Sequence, residues 1–152
     1  MILQFDEMEN ILIVTVIPIA LRGGYVTMPV KADFEVDYKY DSKVDALFVH
    51  VKKDYEYDTS IELDNDIILD FDKKGVPVAL ELLNASRILK SPKYSLNVIR
   101  NIKMSIEVDE KSINLHLQMG VIIHNKNQTQ SMDTFTSNDM GIPSIETELA
   151  SA

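Results

Sequence analysis

The chain reads as mainly β (α+β at most), with antiparallel hairpins forming a roll or sandwich and one or two short helices. Three observations predict this. Apolar residues recur at every second position in a series of short runs between Phe34 and Ile123, which is the spacing of half-buried strands. Short polar turns rich in Asp, Asn, Lys and Ser separate these runs. Helix signals are confined to the segment between residues 84 and 100.

Residues 1–30 open with Asp6, Glu7 and Glu9 and then an apolar run, Ile11 to Leu21. The run falls short of the roughly 20 residues a membrane-spanning helix needs. Acidic residues stand where a signal peptide carries positive charge, and no small-residue cleavage site follows. Its β-branched content predicts a buried strand broken at Pro18. A second reading is a translated leader. Arg22-Gly23-Gly24 can be encoded by a purine-rich run resembling a ribosome-binding site, set before Met28. The expected organisation is therefore 1–27 as a non-native leader or an extra N-terminal strand, and 28–152 as a single β-rich domain with its core unit at 33–90.

From Ala32 the pattern is regular. Phe34, Val36, Tyr38 and Tyr40 alternate with Asp33, Glu35, Asp37 and Lys39, which predicts a half-buried strand. Asp41-Ser-Lys is a turn in which Asp41 bonds the backbone two residues on. Val44 to Val51 is the next strand, with Leu47, Val49 and Val51 inward and His50 on the other face. After a polar loop at 52–54, Tyr57 to Leu63 is an edge strand with Ile61 and Leu63 inward. Ile67, Leu69 and Phe71 mark a further strand. Asp72-Lys-Lys-Gly75 is a tight hairpin loop in which Gly75 supplies positive φ. Val76, Val78, Leu80 and Leu82 then face inward. Pro77 belongs on an edge or at the first pairing position of its strand.

Asn84 is placed as the N-cap of a short helix, Ala85 to Leu89, that ends before Pro92. Ser95 is expected to cap another helical turn reaching Arg100. Ile102, Met104, Ile106 and Val108 form one arm of a second hairpin. Ile113, Leu115, Leu117, Met119, Val121 and Ile123 form the other. Asn125-Lys-Asn turns the chain into a polar edge strand, Gln128 to Phe135. The tail from Thr136, with Gly141 and Pro143, shows little pattern.

Composition limits the chemistry. With 15 basic and 24 acidic residues the net charge is −9, which repels phosphate backbones and argues against nucleic acid. The densest basic pairs, Lys52-Lys53 and Lys73-Lys74, are each flanked by Asp, so no basic patch is expected. Residues 31–90 hold 9 basic and 14 acidic side chains, net −5, while 1–30 and 91–152 are each net −2. There is no cysteine, which removes disulfides, zinc-thiolate sites and thiol nucleophiles.

Several spacings imitate sites. Asp70-Phe-Asp72-Lys-Lys74-Gly75, followed by Glu81, has the spacing of a calcium loop. Lys74 occupies a ligand position, however, and the flanks read as strands, so a hairpin is the better account. Asp64, Asp66, Asp70 and Asp72 could serve an ion only with help from a partner strand, and a solvated acidic face is expected. His116 and His124 lie too far apart along one strand to share an ion. No G-x-S-x-G, no G-x-G-x-x-G and no phosphate-cradling loop is present. No catalytic, cofactor-binding or metal-binding residue is assigned, and no cofactor is expected.

The stretch Tyr40 to Val51, Y-D-S-K-V-D-A-L-F-V-H-V, and the stretch I-L-D-F-D-K-K-G-V-P-V-A-L-E-L-L-N-A-S ending at Ser86 resemble the domain of unknown function 2283 family. Tyr40, Asp41, Asp45, Ala46, Leu47, Leu69, Asp70, Asp72, Gly75, Glu81, Leu83, Ala85 and Ser86 carry the match. The resemblance implies a small prokaryotic β-rich protein, with longer archaeal members alike from Met28 onward. Some members are encoded beside toxin-like genes, which implies an antitoxin-type role for those. The expectation is a non-enzymatic, acidic, cytoplasmic protein-protein interaction module. Its partner would be another protein or a second copy, with neither nucleic acid nor membrane involved. The alternative is a small-ligand or metal-binding protein, or an enzyme, whose site is assembled from turns.

Overall fold

The computed structural model describes residues 30–151 in full. Ahead of them it gives the backbone of four strands: β1 (Ile2–Met8), β2 (Ile11–Ile17), β3 (Ile19–Leu21) and β4 (Gly24–Val26). Pro18, Arg22, Gly23 and Met28, on which the broken-strand and leader readings rest, lie outside the described residues.

The remaining strands follow the alternation of the sequence. They are β5 (Val30–Asp41), β6 (Ala46–Val51), β7 (Tyr57–Asp64), β8 (Ile67–Asp72) and β9 (Pro77–Leu82), then β10 (Asn101–Val108), β11 (Ser112–Ile123), β12 (Lys126–Ser137) and β13 (Ile145–Ala150). Two one-turn helices, α1 (Ala85–Ile88) and α2 (Lys93–Leu96), lie between β9 and β10. Nine strands form one curled sheet in the order β12-β11-β10-β13-β5-β6-β9-β8-β7, and its two ends, β7 and β12, approach one another without sharing a ladder. The result is a half-barrel. β2 pairs beside β5, and β1 pairs β2.

The concave face holds the core. Leu47, Val49, Leu69, Phe71, Val78, Leu80 and Leu82 from one half of the sheet are all buried. They meet the stripe Ile113, Leu115, Leu117, Met119 and Val121 from the other half, also buried. The period-two alternation is what permits this, since each strand shows one face to the core and one to solvent.

β13 departs from the expected patternless tail. It is a central strand, antiparallel to β10 and parallel to β5. Its Ile145, Thr147 and Leu149 point inward and are buried. It joins the two hairpin systems into one sheet where separate layers were also open. Pro77 sits in an interior strand, tolerated because it is the first pairing residue and a register shift lies opposite, between Asp70 and Phe71. The strand expected to start at Val44 starts at Ala46. Val44 is exposed in the turn, and Asp45 adopts a left-handed conformation, φ 55°.

One end of the half-barrel is closed by a backbone contact. Gly75 has φ +79°, and a Cβ there would lie 2.8 Å from the Pro143 ring. The 138–143 loop thus seats on the β8–β9 turn at a position only glycine provides, and Ile142 packs onto the core beside it.

Candidate functional site

Asp45 is the one buried carboxylate among the described residues. It lies in the β5–β6 turn, 9 % exposed, and each carboxylate oxygen is used. Tyr40 donates its hydroxyl at 2.7 Å, the Ser86 amide donates at 3.0 Å and the Ser86 hydroxyl donates at 2.6 Å. The Asp45 carbonyl also accepts from Ala85 N at 2.9 Å. Burial would raise the carboxyl's pKa, but the bonds from Ser86 and Tyr40, aided by the charge of Lys93, hold it below the usual carboxylate value. The Tyr40 phenol is pushed well up by burial and by the bond to Asp45.

This arrangement caps α1 from a distance and replaces the expected cap. Asn84 is left-handed, φ 51°, and makes no capping bond. Its side chain instead donates to Asp66 at 3.0 Å, beside the Arg87–Asp66 ion pair. Ser95 likewise does not cap: α2 begins at Lys93 and ends at Leu96, and Ser95 Oγ donates back to the Pro92 carbonyl. A buried carboxylate with a displaced pKa marks a candidate reactive group. Here every acceptor is taken by a neighbour that shapes the fold, so Asp45 works as a latch between β5, β6 and α1.

The acidic turns are occupied in the same way. Asp72 Oδ1 accepts from Lys74 N and Val76 N, closing the hairpin that imitates a calcium loop. Asp70 accepts from Ser60, and Asp64 accepts from Asn65 N. Among the described residues no three His, Asp or Glu side chains converge as a metal ion requires. His50 stacks on Phe48 with ring centroids 5.1 Å apart. His124 falls in the two-residue β11–β12 turn with Asn125, both at positive φ, so it does not share a strand face with His116.

The sheet brings together one polar row that sequence spacing conceals. Ser105 on β10 pairs with Glu148 on β13 and with His116 on β11, which pairs with Asp133 on β12. Ser105 Oγ donates to Glu148 at 2.9 Å, and His116 Nδ1 meets Asp133. Ser, His and Asp in a row suggest nucleophilic catalysis. Yet Ser105 has its hydroxyl turned to Glu148, and the row lies in a shallow hollow of about 400 Å³ on the outer sheet face, beside exposed Phe135.

A second hollow, of about 360 Å³, lies between α2 and the end of β11. It is lined by Tyr94, Ser95, Val98, Ile122, His124 and Asn125. Tyr94 is 54 % and Val98 61 % exposed. Among the described residues no helix is long and apolar enough to cross a membrane.

A curled β half-barrel with its motif residues spent on internal bonds defines a structural class without an assigned chemistry. The chain belongs to the family described as "Protein of unknown function (DUF2283)", whose model matches residues 37–86. It is 33% identical over 106 residues to a Methanosarcina mazei protein that bears the provisional name hypoxanthine phosphoribosyltransferase, covering 70% of this chain and 85% of that one. It is 39% identical over 62 residues to an uncharacterised protein of Methanocaldococcus jannaschii, covering 41% of this chain and 50% of that one. No solved structure matches. The matched segment ends at Ser86, the residue bound by Asp45, so the latch closes the family unit on itself.

Proposed function

We propose that the protein is a non-enzymatic, cytoplasmic interaction module that acts by binding another protein. The observation that carries this reading is the pair Tyr94 and Val98, two large apolar side chains more than half exposed in one hollow with Ile122. Such clusters on a charged soluble surface mark contact sites. The polar groups that could do chemistry support the same reading, because Asp45, Asp66, Asp70 and Asp72 are committed to the fold. An antitoxin-type role is one form such a module would take.

Affinity capture of the full chain from its native cells tests this, run beside a small-molecule thermal-shift screen. A stoichiometric protein partner is expected. No stable partner, together with a saturable rise in Tm with a small molecule, would sink the reading.

A second reading has one specific source, the name of the Methanosarcina mazei relative. It would make the chain an enzyme acting on hypoxanthine. A hypoxanthine phosphoribosyltransferase assay on the purified chain decides between them. The interaction reading expects no turnover.

A further inference from the structure

Between Glu81 and Glu107 the chain carries Arg87, Lys90, Lys93, Arg100 and Lys103 and not one acidic residue. In a chain of net charge −9 this is an island of opposite sign. Its cations are spaced singly, so no basic run marks it. In sequence Lys93 and Arg100 flank the segment that supplies Tyr94, Ser95 and Val98 to the hollow, and Lys126 follows Asn125, another of its lining residues. All three cations are exposed. Among the described residues none of the three is within ion-pair distance of a carboxylate, whereas Arg87 is neutralised by Asp66. Lys93 is turned to the β5–β6 turn, where its Nζ makes a long bond to the Ser42 carbonyl, 3.4 Å, and its charge bears on Asp45.

We propose that the Tyr94–Val98–Ile122 hollow, with the exposed cations Arg100 and Lys126 adjoining its lining segments in the chain, docks an acidic segment of a partner protein through apolar side chains. The proposal rests on the interaction reading and names its surface. The apolar side chains of the hollow take the partner's apolar anchors, and the neighbouring cations favour a segment rich in Asp and Glu while speeding its encounter. A second copy is disfavoured, because two bodies of charge −9 repel one another at long range. Nucleic acid meets the same repulsion and finds three separated cations where a phosphate track needs a continuous line.

The test places a photo-crosslinking benzoylphenylalanine at Val98 or, separately, at Phe135, in the full chain in native cells. Crosslinked peptides are then sequenced by mass spectrometry. Crosslinks from position 98 to an acidic, apolar-containing segment of another protein are expected. Adding Arg100→Glu with Lys126→Glu should cut their yield about tenfold by reversing the charge of these cations, with Tm unchanged. A neutral or basic segment, a nucleic acid, or a second copy captured at position 98 would overturn the proposal, as would a yield indifferent to the charge reversal. Crosslinks from 135 but not 98 would overturn this surface and leave the interaction reading standing. Crosslinks from neither would overturn both.

Discussion

Asp45 and Ser86, 41 positions apart, are joined through both carboxylate oxygens, one to the Ser86 amide and one to its hydroxyl. Neither bond is local, and together they bring the first and last elements of the family motif into contact. The motif residues therefore record a folding constraint. Tyr40, Asp45, Ala85 and Ser86 together cap a helix of four residues, too short to persist in water without tertiary support.

Ser86→Ala removes the hydroxyl bond but keeps the amide bond. The expected cost is about 1–2 kcal/mol, measured by urea unfolding. A double-mutant cycle with Asp45→Asn should show strong non-additivity, since both changes delete the same contact.

The latch also sets a pH dependence. Asp45 is held below its ordinary carboxylate value in the folded state, so ionisation favours folding. That stability is fully present above the unfolded-state value, near about 4, and is lost as pH falls through the lower folded value. The stability gap between the parent and Asp45→Asn should be widest near neutrality and should narrow below about pH 4. Unfolding curves at pH 7, 5 and 3 check this, and a gap independent of pH would refute it.

Gly75 carries a positive φ and faces the Pro143 ring. Gly75→Ala should cost about 1–3 kcal/mol through strain and overlap. Adding Pro143→Ala should recover part of that cost, leaving the φ strain alone. No recovery would mean that the loop contact carries no energy.

Thr147 is buried in β13, and its hydroxyl has no hydrogen-bond partner among the described residues. An unpaired buried hydroxyl costs free energy that an isosteric methyl does not. Thr147→Val should therefore raise stability, by up to about 1 kcal/mol, seen as a higher Tm. A lower Tm would show that the hydroxyl finds a partner such as water.

Much of this fold was legible because strand periodicity is a local signal. The inward stripe from Ile113 to Ile123 and the Gly75 hairpin follow from it directly. What failed was non-local or brief. Ile145, Thr147 and Leu149 do alternate, but a polar Thr at the centre and the Gly141–Pro143 turn ahead made β13 look like tail. Asn84 has the right chemistry for a cap, yet its left-handed backbone gives that task to Asp45, which sequence distance hides. The Ser105–His116–Asp133 row exists only through ladder pairing. The cations of the 82–106 segment are singly spaced, so no run of adjacent basic residues marks them in the sequence.

The central claim is that the motif residues Tyr40, Asp45 and Ser86 hold the fold together. Urea unfolding of Asp45→Asn at pH 7 tests it most directly. The account predicts a loss of about 2–3 kcal/mol, because the bonds from Tyr40 and Ser86 lose their charged acceptor and the Ser86 hydroxyl must turn to accept from the new amide N–H. An Asp45→Asn chain as stable as its parent would contradict it.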